Sequence, residues 1–180
     1  MKKVNKDEKI NKDEKINKDE KIIKLIYDKY ENEFGVSYFQ NNEIVIDKTK
    51  ILENLPTKIN DVDINVNRIL TIYSWGIKKD HNKVNCNLQF DLTKFQTKID
   101  KEIDVQTING LSDIIQDSII CHPKFLELLE TVVNIVETEN PKEIAFICNH
   151  GKHRSVGWAE LLKKLYYYKA TIKHLCRKNF

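Results

Sequence analysis

No stretch of this chain stays apolar for the roughly eighteen residues that a membrane helix needs, so a helical membrane span is not expected. The amino terminus is charged throughout, which argues against a secretory signal. The four cysteines, Cys86, Cys121, Cys148 and Cys176, are far apart and form no C-x-x-C pair. That spacing argues against a dense disulfide scaffold and favours reduced thiols in the cytoplasm. No Walker glycine-lysine motif is present, so ATP or GTP binding is not expected. Glycine and proline are scarce, at 5 and 3 of 180 residues, while Lys, Asn and Ile abound. This is the mark of an A+T-rich coding bias and carries no chemistry. An excess of charge of one sign is also missing. The net charge is +3, of which residues 1–22 supply +2 through eight lysines against six acids. The whole chain therefore lacks a nucleic-acid-binding composition.

What is present divides into three parts. Residues 1–22 contain Asn-Lys-Asp-Glu-Lys-Ile three times in tandem. Six helical residues turn about 600°, so Ile10, Ile16 and Ile22 point about 120° apart and build no apolar stripe. The repeat reads as a low-complexity, disordered tail. Residues 23–67 read as a small α+β extension. Ile23, Ile26, Tyr27 and Tyr30 share a helical face. Val36–Gln40 and Glu43–Ile46 flank a hairpin turn at Asn41-Asn42. A short helix is expected over Asp47–Leu55 before Pro56, then a linker over Lys58–Asn67.

Residues 68–180 alternate strands with helices. Strands are expected at Ile69–Tyr73, Asn87–Leu92, Glu143–Cys148 and Ala170–Lys173. Helices are expected at Gly110–Cys121, Pro123–Thr138 and Ser155–Tyr168. In the second helix Phe125, Leu128, Leu129, Val132 and Val136 share a face. This pattern predicts an α/β fold with a small, mostly parallel sheet flanked by helices. In such sheets ligands sit beyond the carboxyl ends of strands.

The loop Cys148-Asn149-His150-Gly151-Lys152-His153-Arg154-Ser155 leaves one of those ends and opens a helix. Gly151 lets the backbone bend so that successive N–H groups converge, and the helix dipole favours negative charge. Arg154 can hold two oxyanion atoms with its fork. Ser155 can cap the helix or donate to the Cys148 sulfur. Cationic neighbours and a helix start favour a thiolate at Cys148. The candidate ligand-binding residues are thus Asn149, His150, Gly151, Lys152, His153, Arg154 and Ser155. Cys148, His150 and His153 make a poor zinc set, because inward N–H groups repel a cation, and no metal or cofactor is expected. Trp75 and Trp158 read as core or pocket wall. Lys163, Lys164, Lys169, Lys173, Arg177 and Lys178, with three tyrosines and no acid, form a candidate RNA contact or a solvated helix and strand.

Two resemblances follow from these residues. Cys148, Arg154 and Ser155 satisfy the Cys-x5-Arg-Ser/Thr signature of cysteine-dependent phosphatases. That likeness implies a Cys148 nucleophile, an Arg154 phosphate clamp and an Asp general acid, with Asp91 the leading candidate. Ile147 stands where those enzymes commonly carry His. The longer likeness covers residues 68–178, which resemble the C-terminal domain of the RapZ family, the RNase adapter proteins of bacteria. Four segments carry it in order: Ser74-Trp75-Gly76-Ile77-Lys78, Phe90-Asp91, Ile108-Asn109-Gly110-Leu111, and Cys148 to Val156 with Ala159-Glu160 beyond. The chain departs from the family at Thr93, where the family has Arg. It also departs at Phe95–Lys98, in place of an Asn-Pro segment, and at His150, in place of Gly. The resemblance implies a non-catalytic anion site in a regulatory adapter. Its partners would be an amino-sugar phosphate-like metabolite, RNA phosphate, and protein partners or a second copy.

Overall fold

The computed structural model of the chain describes residues 21–24, 48–59, 62–78 and 84–176. The fold is α/β. Five strands form one sheet: β1 (Lys21–Lys24), β4 (Thr71–Gly76), β5 (Leu88–Asp91), β6 (Glu143–Cys148) and β7 (Thr171–His174). Their order is β1-β5-β6-β4-β7, and every neighbouring pair runs parallel. Two further strands, β2 (Lys58–Ile59) and β3 (Val62–Asp63), make a short antiparallel pair. Four helices are described: α1 (Lys48–Glu53), α2 (Asp113–Ile120), α3 (Phe125–Glu139) and α4 (Arg154–Leu165).

β6 lies at the centre because its sequence allows nothing else. Ile144, Ala145, Phe146, Ile147 and Cys148 are all buried, so both faces of the strand need cover. Ile144, Phe146 and Cys148 join the larger core, with Ile72, Leu88 and Phe90 from the sheet and Ile119, Leu129, Val132 and Trp158 from the helices. Ala145 and Ile147 join a smaller cluster on the opposite face, with Trp75 and Cys86.

Helix ends follow from local chemistry. The Ser112 side chain accepts from the Ile114 N–H and caps α2, so Gly110 and Leu111 precede that helix. Asn140 ends α3 in the left-handed region (φ 47°), and Pro141 follows. α3 buries Phe125, Leu129, Val132, Val133 and Val136, and Leu128 is only partly covered.

Several sequence expectations change. The strand placed at Ile69–Tyr73 is Thr71–Gly76, and Ile69 is 85% exposed. Part of the linker at Lys58–Asn67 is the β2–β3 pair. Lys21 and Ile22, the end of the third repeat, begin β1. Ile23, expected on a helical face, pairs in that strand with Phe90. The rest of the repeat and the hairpin around Asn41-Asn42 lie outside the described residues.

One buried polar network, unannounced by any motif, fastens the start of β4 to the helical layer. Arg68 Nη2 meets Glu137 Oε2 at 2.6 Å, and Arg68 also donates to the Asn140 side chain. The Tyr167 hydroxyl donates to Glu137 Oε1 at 2.7 Å. Burial pushes the Glu137 carboxyl up, but the bonds from Arg68 and Tyr167 outweigh it and hold the group below its ordinary value.

Candidate anion site

The carboxyl ends of β4, β5 and β6 carry Gly76, Asp91 and Cys148 side by side. The register pairs Gly76 with Cys148 and Asp91 with Ile147. Pairing between β4 and β6 runs on past the strand end, since Ile77 N–H donates to Cys148 C=O and Lys78 N–H to Asn149 C=O. The chain then turns back over the sheet. Gly151 takes φ +67°, and a Cβ there would lie 2.7 Å from Gly76 N. A side chain at Gly76 would in turn strike the backbone of His150 and Gly151. Two glycines thus meet backbone to backbone at the floor of the loop.

Cys148 is buried at the base. Its sulfur receives the Gly151 N–H at 3.2 Å and sits 3.2 Å from Ser155 Oγ. Gly151 and Ser155 are buried, Asn149, Lys152, His153 and Arg154 are partly exposed, and His150 is exposed. α4 starts at Arg154, so the last two residues of the segment form its first turn. His153 occupies its cap position and makes no side-chain cap, and no acid lies in the first turn.

Lys152, His153 and Arg154 turn to one neighbour, the long segment between β5 and α2. Lys152 Nζ donates to Gln106 C=O at 2.5 Å. His153 Nε2 lies 2.8 Å and 3.0 Å from the carbonyls of Val105 and Ile108. Arg154 Nη1 donates to the carbonyls of Leu92, Thr93 and Phe95 at 2.9, 2.8 and 2.7 Å. Lys152 C=O accepts from Gly110 N–H at 2.9 Å, which explains the glycine there, since a Cβ would strike α4.

The structure brings together the residues from Cys148 to Ser155 but leaves Asp91 apart from the sulfur. Ile147 and Cys148 face opposite sides of the sheet, and Asp91 is in register with Ile147. The Asp91 carboxylate instead accepts from Thr93 N–H at 2.8 Å. Lys164, Lys169 and Lys173 are exposed and Lys163 is partly so. Lys163 and Lys164 lie at the far end of α4, about 15 Å from the loop at 1.5 Å per helical residue. Lys169 stands over the Tyr168 ring and Lys173 over the Tyr73 ring. Arg177 and Lys178 lie outside the described residues.

Trp158 is core, packed among Phe95, Phe125 and Phe146. Among the described residues no three His, Cys, Asp or Glu side chains converge as a metal site, and no helix is long and apolar enough to cross a membrane.

Sequence reasoning missed a largely buried chain of polar groups that ends on α4. Ser74 Oγ lies 2.7 Å from His174 Nδ1, and His174 Nε2 lies 2.9 Å from Glu160 Oε1. It links β4, β7 and α4. The available signal was Ser74 itself, a polar residue in a strand whose neighbours are apolar. Compared with protein-family models and with curated protein sequences, the chain matches none.

Proposed function

We propose that residues 148–155 form the anion site of a binding module, with a phosphorylated small molecule of the amino-sugar phosphate kind as ligand. This is the reading that the RapZ C-terminal resemblance implies. The observation that carries it is the start of α4. That helix end has no side-chain cap and no acid in its first turn, so its amide donors and dipole remain for an oxyanion. Among the described residues, neither Lys152 nor Arg154 has a carboxylate within 4.0 Å. Carbonyls orient those cations without cancelling their charge.

Calorimetry with inorganic phosphate, sulfate and hexosamine phosphates tests the reading. Arg154→Ala is expected to weaken binding by about ten-fold or more, the scale of a charge-assisted hydrogen bond. If the wild type binds none of these anions at millimolar concentration, the reading is wrong.

A second reading is favoured by the two polar groups at the Cys148 sulfur, the Gly151 N–H that donates to it and the Ser155 hydroxyl 3.2 Å away. In a cysteine-dependent phosphatase the thiolate would attack phosphorus, the leaving oxygen would depart with a proton, and water would then hydrolyse the thiophosphate. Turnover of an aryl phosphate that vanishes in Cys148→Ser would establish it. Absence of turnover leaves the binding module.

A further inference from the structure

The geometry points to Asp91 as the positioning residue of Arg154, acting through backbone carbonyls and not through a proton of its own. The functional consequence rests on the anion-site reading, whereas the geometry does not. Asp91 closes β5, and its Oδ1 accepts the Thr93 N–H at 2.8 Å, an Asx turn. A second turn follows at once, with Phe95 N–H donating to Leu92 C=O at 3.1 Å. The two turns aim the carbonyls of Leu92, Thr93 and Phe95 at one atom, Arg154 Nη1.

Nη1 has two hydrogens for three acceptors, so its donors are used up. The cage fixes one corner of the guanidinium. The Nε–Nη2 edge has no hydrogen-bond partner among the described residues, and that edge can meet two oxygens of an anion side-on. Asp91 itself lies outside ion-pair distance of Arg154.

Both ends of the cage are anchored by burial. Leu92 and Phe95 are fully covered, Leu92 N–H donates to Ile147 C=O at 2.8 Å, and the Phe95 ring meets Trp158 edge-on at 5.6 Å. Thr93 between them is partly exposed, and its N–H is held by the Asp91 carboxylate.

Charge alone predicts the opposite effect of removing Asp91. Deleting a nearby carboxylate tightens the binding of an anion, whereas loosening the cage weakens it. The experiment compares full-length wild type, Asp91→Ala and Asp91→Asn. Asparagine keeps an oxygen that can accept the Thr93 N–H, but it can serve neither as a proton donor of carboxylic type nor as a charge.

The first measurement is inorganic phosphate affinity by calorimetry. Asp91→Ala is expected to bind about five-fold more weakly, the scale of one hydrogen bond, and Asp91→Asn to stay within about two-fold of wild type. The second is NMR of the Arg154 side chain without phosphate. Wild type and Asp91→Asn should show restricted guanidinium rotation, and Asp91→Ala faster rotation. The inference is overturned if Asp91→Ala binds phosphate as tightly as wild type or tighter, or if Asp91→Asn is as weak as Ala. It is also overturned if rotation is equally restricted in all three. Aryl phosphate turnover abolished in Asp91→Asn would make Asp91 an acid and overturn it too. If wild type binds no phosphate while the rotation changes as expected, the cage stands and the anion-site reading fails.

Discussion

Gly151→Ala should destabilise the protein by about 2–5 kcal/mol, combining a left-handed backbone penalty with overpacking. Gly151 sits at φ +67°, where an L-residue costs about 1–2 kcal/mol. Its new methyl would lie 2.6 Å from Cys176 Sγ, 2.7 Å from Gly76 N and 2.9 Å from Trp75 C. Two of those atoms are β4 backbone, and β4 is hydrogen-bonded to strands on both sides. They cannot move without breaking pairs, so the overlap costs about 1–3 kcal/mol more. Gly157→Ala is the control. Its methyl meets Ile119 Cδ1 at 2.6 Å, the far end of a flexible side chain, and the next atom is 3.5 Å away. Alanine inside α4 also gains about 1 kcal/mol of helix propensity, so the net change should fall within about 1 kcal/mol of zero. Urea titration of the two variants, followed by circular dichroism, reads both. If the two midpoints shift equally at unchanged slope, the close approach of Gly151 to β4 is not a constraint, and the account of the loop floor is wrong.

Arg68→Ala should cost about 3–5 kcal/mol, because it strands the Glu137 carboxylate in a buried site; Arg68→Met, which leaves the same stranded charge but fills the space, should recover only part of the loss in a thermal melt. Stability should fall on acidification below about pH 6.5. Burial lowers His122 to about 4, so between these values the unfolded chain binds a proton that the folded one refuses. The Henderson limit is about 3 kcal/mol, and partial solvent access reduces it to about 1–2 kcal/mol. Glu137, held below its ordinary value of 4.5, adds in the same direction at lower pH, since it is ionised in the fold and protonated in the unfolded chain. Urea midpoints of wild type and His122→Phe from pH 7 to pH 4 check this; an equal slope in both proteins would clear His122 of the role. Ser74→Ala should cost about 1–2 kcal/mol by leaving His174 Nδ1 buried without its hydroxyl, and Ser74→Thr should differ from it in a melt if the hydroxyl is what matters.

The parts of the fold that could be read from sequence are those in which one local pattern decides. β6 falls at Glu143–Cys148 as expected, because a continuous apolar run bounded by Pro141 and a glycine loop has a single reading. α3 follows from its apolar face and its Asn-Pro stop. β4 runs over Thr71–Gly76 and not Ile69–Tyr73, and the partner that lets Ser74 lie buried in it, His174, is 100 residues away in sequence. α2 begins three residues later than expected, since Ser112 supplies a better cap than Gly110. The loop from Cys148 to Ser155 was legible as a turn, being one contiguous segment between a strand and a helix. Its side-chain commitments were not. Arg154 reaches carbonyls 59–62 residues upstream, and backbone carbonyls carry no sequence signature. Asp91 drew notice as an acid near a strand end, yet strand parity places it on the other face of the sheet from Cys148.

The scarcity of glycine acquires a meaning from the loop floor. Of the 5 glycines, Gly76, Gly110, Gly151 and Gly157 all border the turn from β6 into α4. A coding bias that thins glycine everywhere has left Gly76, Gly110 and Gly151 where a methyl group would collide with backbone already in place. In a library of single substitutions, the sharpest intolerance should therefore trace Gly76, Gly110 and Gly151, with Cys148 more forgiving than any of them. Such a map would outline the site by the space it denies to side chains, before any ligand was known.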